Sequence, residues 1–359
     1  DLAANHPWNR LIAWSEGALS EEGQELLASL ILEPYGALVD GLADCMADAN
    51  TDAFCIDGAM TVAELHLAGR SSETIVFNSH TCHPGQANDG MVGVATLIRL
   101  FQWLGSRERR LSYRMVLGPE HLGTVFYLRD LPAHEVERLC GGLFVEMTGV
   151  ASPLVATRTF LGDRPLDAAI RHVLEHRAPD AEVVGWRCGA GNDETVWEAP
   201  GYEVPFVELT RRVDTFDPYP EYHSSLDTAD TLDPAAVGET FEVLRDLVEV
   251  LEEDVVGRRR FDGLVCLSSP ELDLYPERPD PSLEGGAEAI DQRWGVLVDR
   301  ILRRFDGTTT LREMADEAGL PFAAVRRYVQ RFAEAGLVDL APAGLERPPV
   351  VRAAPSSVA

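Results

Sequence analysis

The sequence predicts an α/β layered domain followed by a small, mostly helical module. The main observation is an alternation of strand-like and helix-like segments from about residue 61 to residue 255, which is typical of a sheet covered by helices. The predicted strands are 62–67, 74–78, 111–117, 142–147, 182–186 and 204–209. The predicted helices are at about 91–104, 120–131, 165–177 and 234–253. We also expect residues 7–47 to be helical and to pack outside this core.

The C-terminal module begins after a segment rich in proline and glycine. Residues 265–288 contain four prolines and the pair Gly285-Gly286, and this composition predicts a linker. A helix at 292–305, a helix–turn–helix pattern around Gly319 and a strand after Gly336 then follow the order of a winged helix. We therefore predict a main domain over 1–264, a linker over 265–288, a winged helix over 289–345 and a tail over 346–359.

The charge of the chain disfavours polyanionic partners. The 359 residues contain 31 basic and 59 acidic side chains, for a net charge of -28, so we expect neither nucleic acid nor an anionic membrane surface as a partner. The winged-helix segment carries eight arginines and eight acids between Asp291 and Asp339. Although Arg326, Arg327 and Arg331 cluster on one helix, this balance favours a packing or dimerisation module over DNA binding.

Two composition features limit the chemistry and the compartment. All basic residues are arginine, and the absence of lysine excludes Schiff-base chemistry, pyridoxal phosphate attachment and a P-loop lysine. The six cysteines are scattered without a Cys-x-x-Cys pair, which indicates a reduced, cytoplasmic protein. We find no run long enough to span a membrane, and the first 20 residues carry charges where a signal peptide would be apolar.

Residues 80–93 place four potential metal ligands between a predicted strand and a predicted helix. They read His-Thr-Cys-His-Pro-Gly-Gln-Ala-Asn-Asp-Gly-Met-Val-Gly. Imidazole, thiolate and carboxylate groups are typical transition-metal ligands. In open α/β sheets, loops at the carboxyl ends of strands form the ligand crevice. The segment therefore predicts a metal site at this edge of the sheet.

Other polar clusters also fall where predicted strands end or helices begin. They are Glu120-His121, Glu146, Asp193-Glu194 and His223. Glu146 interrupts an apolar strand, and a buried carboxylate requires a partner. Together with residues 80–93, these clusters supply two or three imidazoles and three carboxylates at one sheet edge, which predicts a metal centre.

Single members of this set also have simpler interpretations. Asp89 can cap the helix that follows it, Glu120 can interact with a helix dipole, and His223 can be a hydrogen-bonded loop histidine. The metal-centre interpretation therefore depends on the whole set. Serine and cysteine hydrolases are less favoured, because the chain has no Gly-x-Ser-x-Gly elbow and Cys82 has no obvious base.

Several blocks resemble the aminopeptidase Y class of co-catalytic zinc exopeptidases. They are Cys82-His-Pro-Gly-Gln-Ala-Asn-Asp-Gly-Met-Val-Gly, Pro119-Glu-His-Leu-Gly, Gly191-Asn-Asp-Glu, Tyr219-Pro-Glu-Tyr-His-Ser-Ser-Leu-Asp and an ending from Phe305-Asp-Gly-Thr to Ala-Gly-Leu-Val. The resemblance covers about residues 60 to 340 and is closest to bacterial aminopeptidase-like proteins with a C-terminal winged helix, which often occur in biosynthetic gene clusters. It implies a mixed central sheet with helices on both faces.

The resemblance also implies roles for individual residues. His83 matches the first metal-binding histidine and Asp89 the carboxylate that bridges two metals. Glu120 matches the general base, and Tyr222 a tyrosine that helps to stabilise the oxyanion. The full set of implied metal ligands is His83, Asp89, His121, Glu146 and His223.

The chain departs from the family pattern at two positions. The usual His-x-Asp after the strand is replaced by His80, with Cys82 in the aspartate position and His83 after it. We favour His83 as the ligand, keep His80 as its rival and assign Cys82 to packing. His121 stands where the family has a second glutamate, so the site is less anionic, and we expect one or two zinc ions.

The resemblance implies a zinc-dependent aminopeptidase-like hydrolase that acts next to a free amino terminus. Its substrate would be a peptide or an aminoacylated small molecule, and the gene-cluster setting of the similar proteins implies a role in a biosynthetic pathway. One alternative is another zinc amidohydrolase, a deacylase or a cyclase on the same site. The other is a non-catalytic exopeptidase-like module with a regulatory winged helix. A homo-oligomer is compatible with either.

Overall fold

The computed structural model describes residues 59–83, 85–213, 218–275 and 286–351, with the backbone alone for 286–291. Two compact units are present in this part of the chain. The first comprises residues 59–167, 178–245 and 346–351, and the second comprises 168–177 and 246–345. The helix predicted over residues 7–47 lies outside the described residues.

The first unit is built on a mixed, seven-stranded sheet. Its strands are β1 (Ala63–Leu67), β2 (Thr74–His80), β3 (Ser112–Gly118), β4 (Leu139–Val145), β5 (Leu154–Thr157), β6 (Glu182–Val184) and β7 (Phe206–Arg211). Their order across the sheet is β1-β3-β2-β4-β7-β5-β6. The central strands β3, β2, β4 and β7 are parallel, whereas β1 is antiparallel to β3 and β5 is antiparallel to β7. The predicted mixed α/β class is confirmed.

Helices follow most strands of this sheet. They are α1 (Val92–Gly105), α2 (Leu122–Asp130), α3 (Ala133–Val136), α4 (Pro165–Arg177), α5 (Glu194–Trp197) and α6 (Pro234–Glu253). The helices predicted at 91–104, 120–131, 165–177 and 234–253 thus agree with α1, α2, α4 and α6 to within two residues at each end.

Both faces of strand β2 are covered, which explains its apolar sequence. Side chains alternate between the two faces of a strand. On one face, the Phe77 ring meets the edge of the Phe101 ring of α1, with the ring centroids 6.0 Å apart. On the other, Val76 belongs to a buried cluster with Trp197 of α5. A strand buried on both faces reads as a nearly continuous hydrophobic run.

A buried tryptophan fixes the second face of the sheet. The Trp197 ring stacks on Phe206 of β7, with centroids 4.9 Å apart and planes 3° apart. The Trp197 Nε1 group donates a hydrogen bond of 2.8 Å to Asn78 Oδ1 on β2. This contact satisfies two buried polar groups, which would otherwise destabilise the core. It connects α5 to the strands whose ends carry the polar clusters.

The second unit contains a three-stranded antiparallel sheet with helices. Its elements are β8 (Val255–Arg259), α7 (Gly286–Arg304), β9 (Asp306–Thr310), α8 (Leu311–Ala318), α9 (Phe322–Glu334) and β10 (Val338–Pro342). The strand order is β10-β8-β9. β8 lies before the predicted linker, yet it pairs with strands beyond it. The winged-helix interpretation and the predicted domain boundaries stay predictions.

Both ends of helix α8 are capped by residues that favour helix termini. Thr310 accepts a hydrogen bond from the Glu313 backbone amide, and the Glu313 side chain accepts one from Thr310, which forms a capping box. Gly319 ends the helix with a φ of 65°, a left-handed conformation that favours glycine. Among the described residues, no helix is both long and apolar enough to cross a membrane.

Candidate metal centre

The candidate site lies where the parallel strands of the sheet end. His80 is the last residue of β2, Glu146 follows β4, and Glu120 follows β3 by two residues. Because neighbouring parallel strands end at the same edge of the sheet, short loops are enough to bring these side chains together. His223 arrives from the segment between β7 and α6.

The turn after β2 requires glycine at one position. Residues Ala87–Met91 form a buried, irregular helical turn in which Gly90 has a φ of 114°. A Cβ atom at Gly90 would lie 2.8 Å from the His80 carbonyl oxygen and 3.1 Å from its Cε1 atom. The absence of a side chain at Gly90 therefore lets the turn pack against His80. It also directs Asp89 toward that ring.

Asp89 is the centre of the site, and three imidazoles surround it. His80 Nε2 lies 3.3 Å from Asp89 Oδ1. His83 Nε2 and His223 Nε2 lie 3.1 Å and 3.2 Å from Asp89 Oδ2. His80 Nε2 also lies 2.9 Å from Oε2 of Glu146.

These atoms form two groups of potential ligands that share Asp89. One group is His80, Asp89 and Glu146, and the other is His83, Asp89 and His223. Within each group, one ligand atom from each residue lies within 4.8 Å of the others. The first group is buried, whereas the second opens to solvent through His83 and His223.

The structure therefore brings together most of the predicted ligands. His83, Asp89, Glu146 and His223 converge, and His80 joins them, so the two rival histidines contact different oxygens of one carboxylate. His121 does not join either group in the described part of the chain. Its Nε2 atom lies 3.3 Å from Oε1 of Glu120, and its side chain is 45% exposed.

The backbone explains why His121 lies apart. This residue has a φ of 55° at the start of α2, a strained conformation for a residue other than glycine. Its amide donates a hydrogen bond of 2.5 Å to Asp193 Oδ1, and Asp193 Oδ2 accepts a second one of 2.6 Å from Thr124. These bonds fix the turn with the His121 ring beside Glu120.

Cys82 lies against the side chains of His80 and Glu120, in contrast to the packing role expected from the sequence. Its Sγ atom is 2.8 Å from His80 Nδ1 and 3.7 Å from Glu120 Oε2. Glu120 is partly exposed, so it is accessible to a substrate. Tyr222, the predicted oxyanion donor, stacks on the His223 ring with centroids 3.9 Å apart.

Charges and burial shift the acidity of these groups. Burial alone would raise the pKa of Asp89, but hydrogen bonds from His80 and His83 hold it well below its ordinary value, so the carboxylate stays ionised. Burial raises the pKa of Glu146 to about 8, against the hydrogen bond with His80. Burial, and then the negative charge of Asp89, raise the pKa of Tyr222 to about 12, so its hydroxyl keeps its proton.

Asp227 is a site residue that sequence reasoning missed. Its Oδ1 accepts a hydrogen bond of 2.8 Å from the Asn88 amide, and its Oδ2 accepts one of 3.0 Å from the Asp89 amide. The Tyr219 hydroxyl donates a third bond, of 2.8 Å, to Oδ2. Asp227 thereby ties the segment that carries His223 to the turn that carries Asp89. The available signal was its place four residues after His223 in the same motif block.

A second set of buried carboxylates lies behind Glu146. Glu194 and Glu208 are fully buried, and each carries a pKa raised first by burial. Asn192 connects Glu194 to the centre, because its amide donates to Glu194 Oε2 at 2.7 Å and its Nδ2 group donates to Glu146 Oε2 at 2.9 Å. In the described part of the chain, Oε1 of Glu146 and Oε1 of Glu194 are buried without a hydrogen-bond partner.

The donor set fits a transition-metal centre such as zinc. Imidazole nitrogens and carboxylate oxygens are the ligands that zinc accepts, and Asp89 offers one oxygen to each group. The buried Glu146 Oε1 atom, which has no hydrogen-bond partner in the described residues, is an acceptor that a cation would satisfy. The residues that would hold metal are His80, His83, Asp89, Glu146 and His223.

Comparisons with known proteins show what this fold is similar to. A crystal structure of a candidate peptidase from Clostridium acetobutylicum matches with a TM-score of 0.62 at 22% identity, over 78% of this chain and 60% of that one. A zinc aminopeptidase from Bacillus subtilis matches with a TM-score of 0.46 at 16% identity, over 52% of this chain and 48% of its own.

The chain belongs to the family described as "Domain of unknown function (DUF4910)", whose model matches residues 25–254. A Clostridium acetobutylicum relative is 24% identical over 293 residues, and it is named as a candidate polysaccharide biosynthesis protein with an aminopeptidase-like domain. The match covers 80% of this chain and 63% of that relative. The chain thus spans less than two thirds of the length of the relative.

Proposed function

We propose that this protein is a zinc-dependent aminopeptidase-like hydrolase that cleaves an amide bond next to a free amino terminus. The observation that carries the proposal is the pair of ligand groups that share Asp89, with Glu120 beside them. The substrate would be a peptide or an aminoacylated small molecule. A role in a biosynthetic pathway is in line with the name of the Clostridium relative.

His80, Asp89 and Glu146 would hold one zinc ion, and His83, Asp89 and His223 would hold the second. When bound, such ions supply Lewis acidity and lower the pKa of water from about 15.7 toward about 7. In this proposal His83 binds metal in place of the second glutamate of the family pattern, because its ring contacts Asp89. His121, which stands at that glutamate's position in the sequence, does not bind metal.

Glu120 would act as the general base. It accepts a proton from the attacking water and returns it to the amine that leaves. Its partial exposure gives it access to a substrate. The Tyr222 hydroxyl keeps its proton at neutral pH, because burial raises its pKa to about 12, and it can donate a hydrogen bond to the oxyanion.

Glu194, a buried acid behind the site, would recognise the free amino group of the substrate. An α-ammonium group is a donor-only cation, and Glu194 Oε1 is a buried oxygen that has no hydrogen-bond partner among the described residues. Binding there would limit cleavage to the first residue of the substrate. An N-acylated substrate lacks this charge and would be hydrolysed poorly.

The test is the Glu120→Gln variant of the zinc-loaded protein. We expect unchanged zinc content and a fall in kcat of about 10²- to 10⁴-fold on aminoacyl-nitroanilides, because proton transfer contributes about that factor. Glu137→Gln, at an exposed position on the surface, is the matched control. Near-normal turnover by Glu120→Gln would contradict the proposed base. Hydrolysis of N-acyl amines instead of aminoacyl-nitroanilides would favour a deacylase.

A further inference from the structure

The two ring nitrogens of His80 face two different sets of ligands. Nε2 points to Asp89 and Glu146, at 3.3 Å and 2.9 Å. Nδ1 points the other way and lies 2.8 Å from Cys82 Sγ. Ligand atoms of His80, Cys82 and Glu120 lie within 4.8 Å of one another. One imidazole thus belongs to the Asp89 centre and to a separate group that contains a thiol.

The chemistry of this second group differs from that of the Asp89 centre. A thiolate is a soft ligand that selects thiophilic metals, whereas carboxylates are hard. Cys82 and Glu120 are partly exposed, and the His80 ring behind them is buried. An ion can therefore reach the thiol from solvent without passing through the Asp89 centre.

We propose that His80 Nδ1, Cys82 Sγ and Glu120 Oε2 form a second cation site, which takes a thiophilic divalent cation such as Cd²⁺ and excludes zinc from the His80–Asp89–Glu146 group. Binding releases the thiol proton and any proton on Nδ1, because a metal binds deprotonated ligands. A neutral imidazole carries a lone pair on only one of its two nitrogens, so a ring that binds the cation through Nδ1 offers none at Nε2 for zinc.

Occupation of this site would also inactivate the protein. A cation bound to Glu120 Oε2 removes the lone pair with which Glu120 would accept a proton. This inhibition rests on the proposed function, whereas binding of the cation does not. A protein that fails to bind the cation could therefore still be the proposed hydrolase. A protein without hydrolase activity could still bind the cation.

The first experiment is a titration of the metal-free full chain with Cd²⁺, followed by the ultraviolet thiolate-to-cadmium charge-transfer band. We expect the wild-type protein to show a band that Cys82→Ser lacks. Cys188→Ser is the matched control, because Cys188 is exposed and lies outside the three ligand groups in the described residues, and it should keep the band. An equal band in Cys82→Ser and wild type would overturn the site.

Two further measurements keep the proposal testable if Cys82→Ser folds poorly. Glu120→Gln retains the thiol and should keep the band but bind Cd²⁺ about tenfold or more weakly, because it loses one ligand. Prior loading with zinc should suppress the band in wild type, and Cd²⁺ should release zinc at higher concentration. A full band with all zinc retained would show that the two sites are independent and would overturn the proposal.

Discussion

Asp89 is held through both oxygens of its carboxylate and through its backbone amide. Its two oxygens contact three imidazoles, and its backbone amide donates to Asp227. The turn around it is buried, so the side chain has little freedom to reorient. A ligand fixed in this way loses little conformational entropy when a metal binds.

At the scale of single residues, the geometry predicts which imidazoles bind zinc. We expect His83→Ala and His223→Ala to lose zinc in elemental analysis, because both rings contact Asp89 Oδ2. His121→Ala should keep its zinc, since its ring contacts Glu120 instead. Loss of zinc from His121→Ala would return His121 to the ligand set that the family pattern implies, and full zinc content in His83→Ala would remove His83 from it.

Asp227 gives a second prediction at this scale. In Asp227→Asn, an amide group replaces a carboxylate that accepts three hydrogen bonds, so one donor must face another. Loss of such outer contacts typically weakens metal binding about 10- to 100-fold, and we expect that change in competition with a chelator. Asp230→Asn, at an exposed position on a short turn, is the control. Equal zinc affinity in the two variants would remove Asp227 from this role.

The sequence predicted most of the residues that lie in the centre, but it did not predict the contacts among them. Glu146 was informative because a carboxylate in an apolar strand needs a partner, and it lies in the centre. The position of His121 apart from Asp89 depends on its backbone φ of 55°, which residue identity does not reveal. Asp227 was missed because two of its three partners are backbone amides, which any sequence supplies.

Among the elements, the irregular turn after β2 controls the site most directly. It places Asp89 and Gly90 between β2 and α1. We expect Gly90→Ala to lower the free energy of unfolding by about 1–3 kcal/mol, because φ is positive and the Cβ would overlap His80. Chemical denaturation measures this change.

Gly238 provides the control for that variant. It lies in α6 and is exposed, and a Cβ there would meet nothing within 4 Å. Gly238→Ala should therefore stabilise the protein, by up to about 1 kcal/mol, through helix propensity. Equal stability of Gly90→Ala and Gly238→Ala would show that the turn tolerates a side chain.

The sequence predicted long elements better than short ones. The helices α1 and α6 have clear hydrophobic patterns, and their predicted bounds agree with the structure. Strand β5 was missed because it has four residues, too few for an alternating pattern to stand out. Its antiparallel pairing with β7 depends on distant residues and leaves no local signal.

For the whole molecule, buried acid is the main electrostatic feature. Burial raises the pKa of Glu146 to about 8 and, together with Glu208, raises that of Glu194 to about 9, from an ordinary value of 4.5. Between about pH 5 and pH 8 the folded metal-free chain therefore binds more protons than the unfolded chain. Its free energy of unfolding must fall as pH rises through this window. The net charge of -28 acts in the same direction.

We expect denaturant titrations of the metal-free protein at a series of pH values to show this fall in the free energy of unfolding, as a negative slope against pH. Glu194→Gln should reduce the slope because it removes one of the buried groups, and Glu137→Gln should not. Saturating zinc should also reduce it, since a cation at Glu146 favours the ionised carboxylate. A metal-free protein that becomes more stable from pH 5 to pH 8 would contradict this prediction.

The hydrogen bonds of Asp227 also determine when the centre can assemble during synthesis. They join positions 139 and 138 residues apart in the chain, so the Asp89 turn lacks this support until Asp227 has left the ribosome. Contacts this distant form late in folding, because a long loop must close first. A zinc ion held by both Asp89 and His223 would therefore bind after this loop has closed.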